Sequence, residues 1–282
     1  MRLANVDERV MVARPGGGFV DLASASAGRF GPDPQTVYER WEEFTDWAAS
    51  AGEWTDVAYE PPPESLGPPA PRPRQVFATA LNYRQHAAEG GADAPAVPQV
   101  FTKFPSCLSG PHTVVDLATD RVDWEAELVV VIGRRAHRVT REQAWEHVAG
   151  VTAGQDISAR GVQRTSPREP QFSLGKSYPG FGPTGPWLVS SDEFGGGDAQ
   201  IECLVNGERV QHASTAEMIF PVASLIEYIS GITPMLPGDV LFTGTPAGVG
   251  SHRDPPRFLS DGDVVVTRIE RIGELTQTSR SI

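Results

Sequence analysis

The sequence predicts a mainly β protein with added helices, an α+β class. A small N-terminal α+β unit (1–60) and a proline-rich linker (61–74) precede a larger β-rich domain (75–282). Three observations carry this reading. Short β-branched runs bounded by Gly, Asp and Asn recur through the second half. Only one stretch carries a long one-sided helical stripe. Half of the residues from Pro61 to Arg74 are proline, which can continue neither a helix nor a central strand.

In chain order, strands are expected at Val10–Ala13 and Phe19–Leu22. A helix should start at Asp33-Pro34, a cap followed by proline at the first helical position, and end at Gly52. Its stripe of Val37, Trp41, Phe44 and Ala48 is packing surface. Beyond the linker, Thr140 with Gln143 suggests a capping box over a short helix closing at Gly150. Ile201–Val205 followed by Asn206-Gly207 signals a hairpin. Asp239–Thr243 and Asp263–Ile269 read as further strands, and the stretch 159–185 as a long binding loop or lid.

Composition narrows the partners. The chain has 282 residues and a net charge of -12, with its basic residues dispersed, which argues against nucleic acid and anionic membranes and for a small molecule. No apolar run is long enough to span a bilayer and the N-terminus is charged, so a soluble, cytoplasmic protein is expected. Cys107 and Cys203 show no Cys-x-x-Cys spacing and read as buried thiols. Of 24 basic residues all but Lys103 and Lys176 are arginine, so these two positions are read as calling for a slim ammonium where a guanidinium would not fit.

Glu125 and Glu127 precede the apolar run Leu128–Ile132. Alternate residues of a strand share a face, so both carboxylates project together beside Val129 and Val131. Like charges this close call for a shared proton or a cation between them. Asp156 could add a third oxygen ligand for a hard divalent ion; the bland alternative is the wet face of an antiparallel strand. His86 and Glu89, three apart, would be neighbours on a helix, where the carboxylate could orient the imidazole as a general base or simply make a surface contact. The glycine-rich turn after Asp239–Thr243 offers backbone amides and Thr243 or Thr245 to an anion. Gly175-Lys176-Ser177 is not a phosphate-binding loop, because Pro170 stands where that motif needs glycine, and neither Gly-x-Ser-x-Gly nor His-Glu-x-x-His occurs.

Taken together, these segments resemble the fumarylacetoacetate hydrolase family. The resemblance is carried in order by Asn82-Tyr83 with His86 and Glu89, Lys103 to Pro111, Trp124 to Gly133, Asp156 to Gln163, Gly175-Lys176-Ser177, Gly185 to Val189, and Pro237 to Gly250, spanning about residues 75–282. It implies a mixed β-roll, usually a homodimer. It implies that Glu125, Glu127 and Asp156 hold Mg2+ or Mn2+, that His86 and Glu89 activate water, and that Lys176 and Gln163 stabilise an oxyanion. Arg160, Gly244, Thr245 and Tyr83 are then substrate contacts, and Lys103 is more peripheral. The implied activity is hydrolysis of a carbon–carbon bond in an acylpyruvate-like or fumarylacetoacetate-like oxo acid. The alternatives are decarboxylation, isomerisation or hydration on the same scaffold, and a non-catalytic ligand-binding relic. Gln155, Gly161 and Pro179 depart from the family pattern and are expected to alter the pocket loops.

Overall fold

The computed structural model describes all residues except 15–16, 51–57 and 167–168. The fold is mainly β. One mixed sheet runs in the order Phe19–Asp21, Arg9–Ala13, Arg2–Val6, Gly182–Ser190, Val148–Gln155, Ala126–Ile132, Val240–Phe242, Val76–Ala80, Gln99–Thr102. A second, five-stranded sheet is built from Glu208–Ser214, Gln200–Val205, Val264–Ile269, Gly273–Ser281 and His112–Leu117. Most neighbours are antiparallel. Val240–Phe242 with Val76–Ala80 and Gly273–Ser281 with His112–Leu117 are parallel.

Ala126–Ile132 is the wall between two cores. It is buried along its whole length, as its unbroken run of apolar, β-branched residues demands of a strand covered on both faces. Leu128, Val130 and Ile132 pack into the core shared with the second sheet. Val129 and Val131 face the other way, onto Trp41, Phe44 and Phe242. Period-two alternation therefore puts Glu127 on the Val129 face, at the end of the strand where the site lies.

The helical stripe at Val37, Trp41 and Phe44 is buried against this face. Each such side chain contributes about 1.5–3 kcal/mol on burial, enough to fix the N-terminal segment to the sheet. The segment is also joined to it by hydrogen bonds, since Arg2 and Leu3 pair with Val189 and Leu188. The sheet thus runs unbroken across the sequence boundary at 61–74. The proline-rich stretch is itself held: Leu66–Gly67 pairs with Val6 and Asn5, and Tyr38 donates to the carbonyl of Pro69 at 2.9 Å.

Several expected elements need correction. The single N-terminal helix is two, Thr36–Glu39 and Trp41–Ser50, separated at Arg40, whose ψ of 32° leaves the helical range. Its predicted end at Gly52 lies outside the described residues. The helix expected to close at Gly150 is a 3-10 turn, Ala144–His147, and Gly150 is inside a strand where a Cβ would strike the Val189 carbonyl. The stretch 159–185 is not a featureless loop: it holds the short helices Arg160–Gln163 and Phe172–Gly175 and the start of Gly182–Ser190. The strand Arg2–Val6 leaves little sequence signal, since it opens on the charged Arg2 and carries one β-branched residue, Val6. The hairpin at Asn206-Gly207 forms as expected, with φ of 53° and 81° at the two turn residues.

Candidate active site

Two neighbouring chain segments bring the three carboxylates together. Glu125 and Glu127 lie at the start of the wall strand. Asp156 follows the adjacent antiparallel strand, whose register sets Ala126 opposite Gln155, and its N–H donates to the Glu125 carbonyl at 2.9 Å. Gly154, opposite Glu127, has to lack a side chain because a Cβ there would lie 2.5 Å from Val129 Cγ2. One oxygen from each of Glu125, Glu127 and Asp156 can be chosen so that all lie within 4.8 Å of one another, and all three residues are buried.

Three cations surround this cluster. Lys176 Nζ donates to Glu125 Oε2 at 2.7 Å and to Asp156 Oδ2 at 2.5 Å. Arg160 Nη2 donates to Glu125 Oε1 at 2.6 Å, and its Nε donates to the buried Asp123 at 2.6 Å. Lys103 Nζ donates to Asp156 Oδ1 at 2.6 Å and also to the Lys176 carbonyl. Lys103, expected to be peripheral, is thus a fully buried member of the cluster. Both lone lysines stand where a point-like ammonium bridges carboxylates and backbone. Gly175, the residue before Lys176, lets the two short helices close, since a Cβ would meet Gln163 N at 2.8 Å; this packing explains the glycine of the Gly-Lys-Ser sequence.

The charges do not balance. Four buried carboxylates, Asp123 included, meet three fixed cations, and Glu127 is the one left over. The hydrogen bond to its carboxylate among the described residues comes from the Gly244 N–H at 2.7 Å. Burial, then Asp156 and Glu125, push the Glu127 carboxyl well above its ordinary range. Burial opposes ionisation of Glu125 too, but Lys176 and Arg160 outweigh it and hold that carboxyl low. Two like charges at 4 Å repel by about 4 kcal/mol at an effective dielectric of 20. A cluster with this surplus, made only of oxygen donors, fits a hard divalent cation.

Beside it, the helix Arg84–Glu89 presents His86, whose Nδ1 is 2.8 Å from Glu89 Oε1. The Gly248 N–H donates to Glu89 Oε2 at 2.8 Å. Burial works against the Glu89 carboxylate, but the nearby His252 ring and the hydrogen bonds from His86 and the Gly248 N–H carry its pKa down to about 2. A carboxylate ionised in the folded state down to about 2, against 4.5 ordinarily, makes unfolding take up a proton between those pH values, so stability falls as pH falls. Glu89→Gln should therefore be less stable than the parent at pH 6, with the gap narrowing by pH 3, as read by urea denaturation at both.

A cavity of about 200 Å³ joins the two groups. His86, Glu125, Arg160, Gln163, Lys176 and Thr245 line it, with Arg164 and His252 also on its wall. A larger cavity of about 890 Å³ lies by Phe19 and Trp187, and none of the cluster residues lines it.

Not every predicted substrate contact is on this wall. Tyr83 is packed in the main core, its hydroxyl buried with no hydrogen-bond partner. Burial and the nearby Glu127 raise its pKa. Tyr83→Phe removes an unsatisfied group, so it should leave KM unchanged and keep or raise Tm, the gain being on the order of 1 kcal/mol; a rise in KM would return Tyr83 to the substrate side. Gly244 is likewise committed, through its N–H, to Glu127. Thr243 donates to the Leu128 carbonyl and Thr245 to the Ala126 carbonyl, so neither hydroxyl proton is free for an anion. Gln163 accepts from Arg160 Nη1 at 2.9 Å. Of the three departures, Gln155 is structural: its amide accepts from Glu125 N at 2.8 Å and donates to Thr267. Neither it nor Gly161 nor Pro179 lines the cavity.

A family model, fumarylacetoacetate (FAA) hydrolase C-terminal, matches residues 75–280. The chain belongs to the fumarylacetoacetate hydrolase family. Among its relatives is the rat protein named oxaloacetate tautomerase Fahd2a, mitochondrial (Rattus norvegicus), 40% identical over 208 residues, 73% of this chain and 66% of that one. The chain thus spans about two thirds of that relative's length. A family structure from Mycobacterium smegmatis carrying the provisional name HpcE is 48% identical, with a TM-score of 0.94 over 100% of this chain and 99% of that one. Maleylpyruvate hydrolase from Sphingobium in complex with manganese(II) and pyruvate is 27% identical, with a TM-score of 0.79 over 100% and 99% of the two chains. The family holds both hydrolases and isomerases or tautomerases. No helix among the described residues is long and apolar enough to cross a membrane.

Proposed function

We propose that the protein is a divalent-metal-dependent enzyme that moves a proton at the carbon next to the keto group of a small 2-oxo acid, interconverting its keto and enol forms. The observation that carries this reading is the pairing of His86, on the wall of the cavity that Glu125 and Lys176 also line, with an ionised Glu89. Glu125, Glu127 and Asp156 would hold the ion, Mg2+ or Mn2+. When bound, it supplies a Lewis acid for the keto and carboxylate oxygens of the substrate.

The protein's own groups do the rest. Glu89 accepts from His86 Nδ1, which leaves Nε2 as the ring nitrogen able to take a proton. His86 removes the proton from carbon and delivers it to the keto oxygen, and the reverse transfer returns the enol to the keto form. Lys176 and Arg160 keep Glu125 charged and in place. The cavity, at about 200 Å³, suits a compact acid, and the name of the rat relative supports oxaloacetate as the first compound to try.

Hydrolytic carbon–carbon cleavage of an acylpyruvate is the second reading, favoured by the same dyad, which could equally deprotonate water. It ranks lower because Lys176, the cation it needs for an oxyanion, is engaged with Glu125 and Asp156. The test follows enol oxaloacetate by absorbance with Mg2+ or Mn2+, and acylpyruvates in 18O-labelled water by product mass. Accelerated ketonisation lost with a chelator is the expected result. Label in a new carboxylate without that acceleration would move the assignment to the hydrolase.

We propose also a homodimer acting in the cytoplasm. The outer edge of the large sheet supports a self-association surface: Val100 lies on the edge strand itself, Phe104 just beyond it and Leu174 on the neighbouring short helix, and all three are exposed. Light scattering that reports a monomer would overturn the dimer.

A further inference from the structure

Glu89 has a second histidine beside it. His252 ends the 3-10 turn Gly250–His252, and its Nδ1 is 3.6 Å from the Glu89 Oε1 that His86 approaches to 2.8 Å. The two imidazoles are 5.6 Å apart, tilted by 31°. His252 Nδ1 is buried and makes no hydrogen bond. Its other nitrogen, Nε2, is 2.8 Å from Arg164 Nη2. A guanidinium can only donate. Nε2 must then accept, and the proton of the neutral ring is on Nδ1, directed at Glu89.

We propose that His252, held in its Nδ1–H tautomer by Arg164, is a positioning residue for His86, supplying a second N–H to the carboxylate that orients the base. Glu89 is then gripped from three sides, by His86 and His252 on Oε1 and by the Gly248 N–H on Oε2, and cannot pivot away from His86. At 3.6 Å the His252 contact is longer than a hydrogen bond; contacts of this kind tighten when substrate closes the site.

The same three side chains also have the composition of a metal site, with one ligand atom from each of His86, Glu89 and His252 within 4.8 Å of the others. The Arg164 contact decides against that use. A cation on His252 Nδ1 would force the ring proton onto Nε2, against a guanidinium donor, and would add positive charge beside Arg164. Sequence gave no sign of this chain of contacts, because Arg164 and His252 lie 88 positions apart in turns without periodicity.

The inference rests on His86 acting as the base, so its test includes a readout independent of turnover. In protein labelled with 15N in its imidazoles, with Mg2+ present, His252 should show a protonated Nδ1 and a bare Nε2. Arg164→Leu should release it to a mixture of tautomers. His252→Ala should loosen the fixed Nδ1–H state of His86 and lower kcat about tenfold, a part of the roughly 100-fold or more that a general base contributes, with KM within about twofold. His252→Asn, whose amide N–H can reach Glu89, should restore most of the rate. A protonated Nε2 on His252 in the parent protein would overturn the proposal. So would a His252→Ala protein with the tautomer of His86 and kcat both unchanged. If no oxo acid turns over, the proton-transfer reading fails while the tautomers of His252 and His86 still decide this one.

Discussion

Replacing Glu127 by alanine should abolish divalent-cation binding and turnover together, yet leave the metal-free protein as stable as its parent or more so. Of the four buried carboxylates of the cluster, Glu127 is the one without a cationic partner, because Lys176, Arg160 and Lys103 are committed to Glu125, Asp156 and Asp123. Its charge is therefore the one left for an added cation to balance, and without that cation it repels its neighbours or takes up a proton. Titration calorimetry should show Mn2+ and Mg2+ affinity falling by at least about 100-fold, more than the loss usually seen when an outer-shell partner is removed. Melting in the presence of a chelator should show an equal or higher Tm. Glu125→Ala should part from it in that second measurement. It leaves Arg160 and Lys176 short of a buried partner, a change that costs about 3–5 kcal/mol when such a pair is broken. Wild-type Mn2+ affinity in Glu127→Ala would remove the carboxylate cluster as the metal site.

How far these residues could be found from sequence depends on the kind of signal each leaves. Glu125 and Glu127 are legible because strand periodicity places them on one face, and Asp123, two positions earlier, continues the same alternation; its pairing with Arg160 could have been sought on that ground. Lys103 left a compositional trace as one of only two lysines, but nothing local shows that it reaches across to Asp156, a partner 53 positions away. Tyr83 shows the opposite error. It sits within the motif that carries His86, yet the backbone turns its ring into the core. The class of the fold was legible in turn chemistry and β-branched runs, and the Asn206-Gly207 hairpin follows from two residues alone. The union of the N-terminal strands with the main sheet was not, because the pairing of Arg2–Leu3 with Leu188–Val189 is a contact between segments that share no local pattern. Proline-rich composition marked a stiff connector there, but stiffness does not say whether a chain departs from a surface or is laid down along it.

His86→Ala should separate the two halves of the site by keeping the metal and losing the chemistry. The only hydrogen bond of the His86 ring among the described residues is to Glu89, so its removal leaves every bond of Glu125, Glu127 and Asp156 in place. Mn2+ affinity should change by less than about threefold, which is about 0.6 kcal/mol. Turnover should fall by roughly 100-fold to 10,000-fold, the range that a positioned general base contributes, and the loss should appear in kcat more than in KM, since the ring is placed to act on a proton and not to hold the acid. The alternative base in the cavity is Lys176, but Asp156 and Glu125 outweigh its burial and keep it charged. An ammonium held that way has no lone pair to accept a proton. Retained turnover in His86→Ala would mean that binding of the ion and substrate displaces Lys176 from its carboxylates and frees it to act, and the order of roles within the cluster would have to be rebuilt around that lysine.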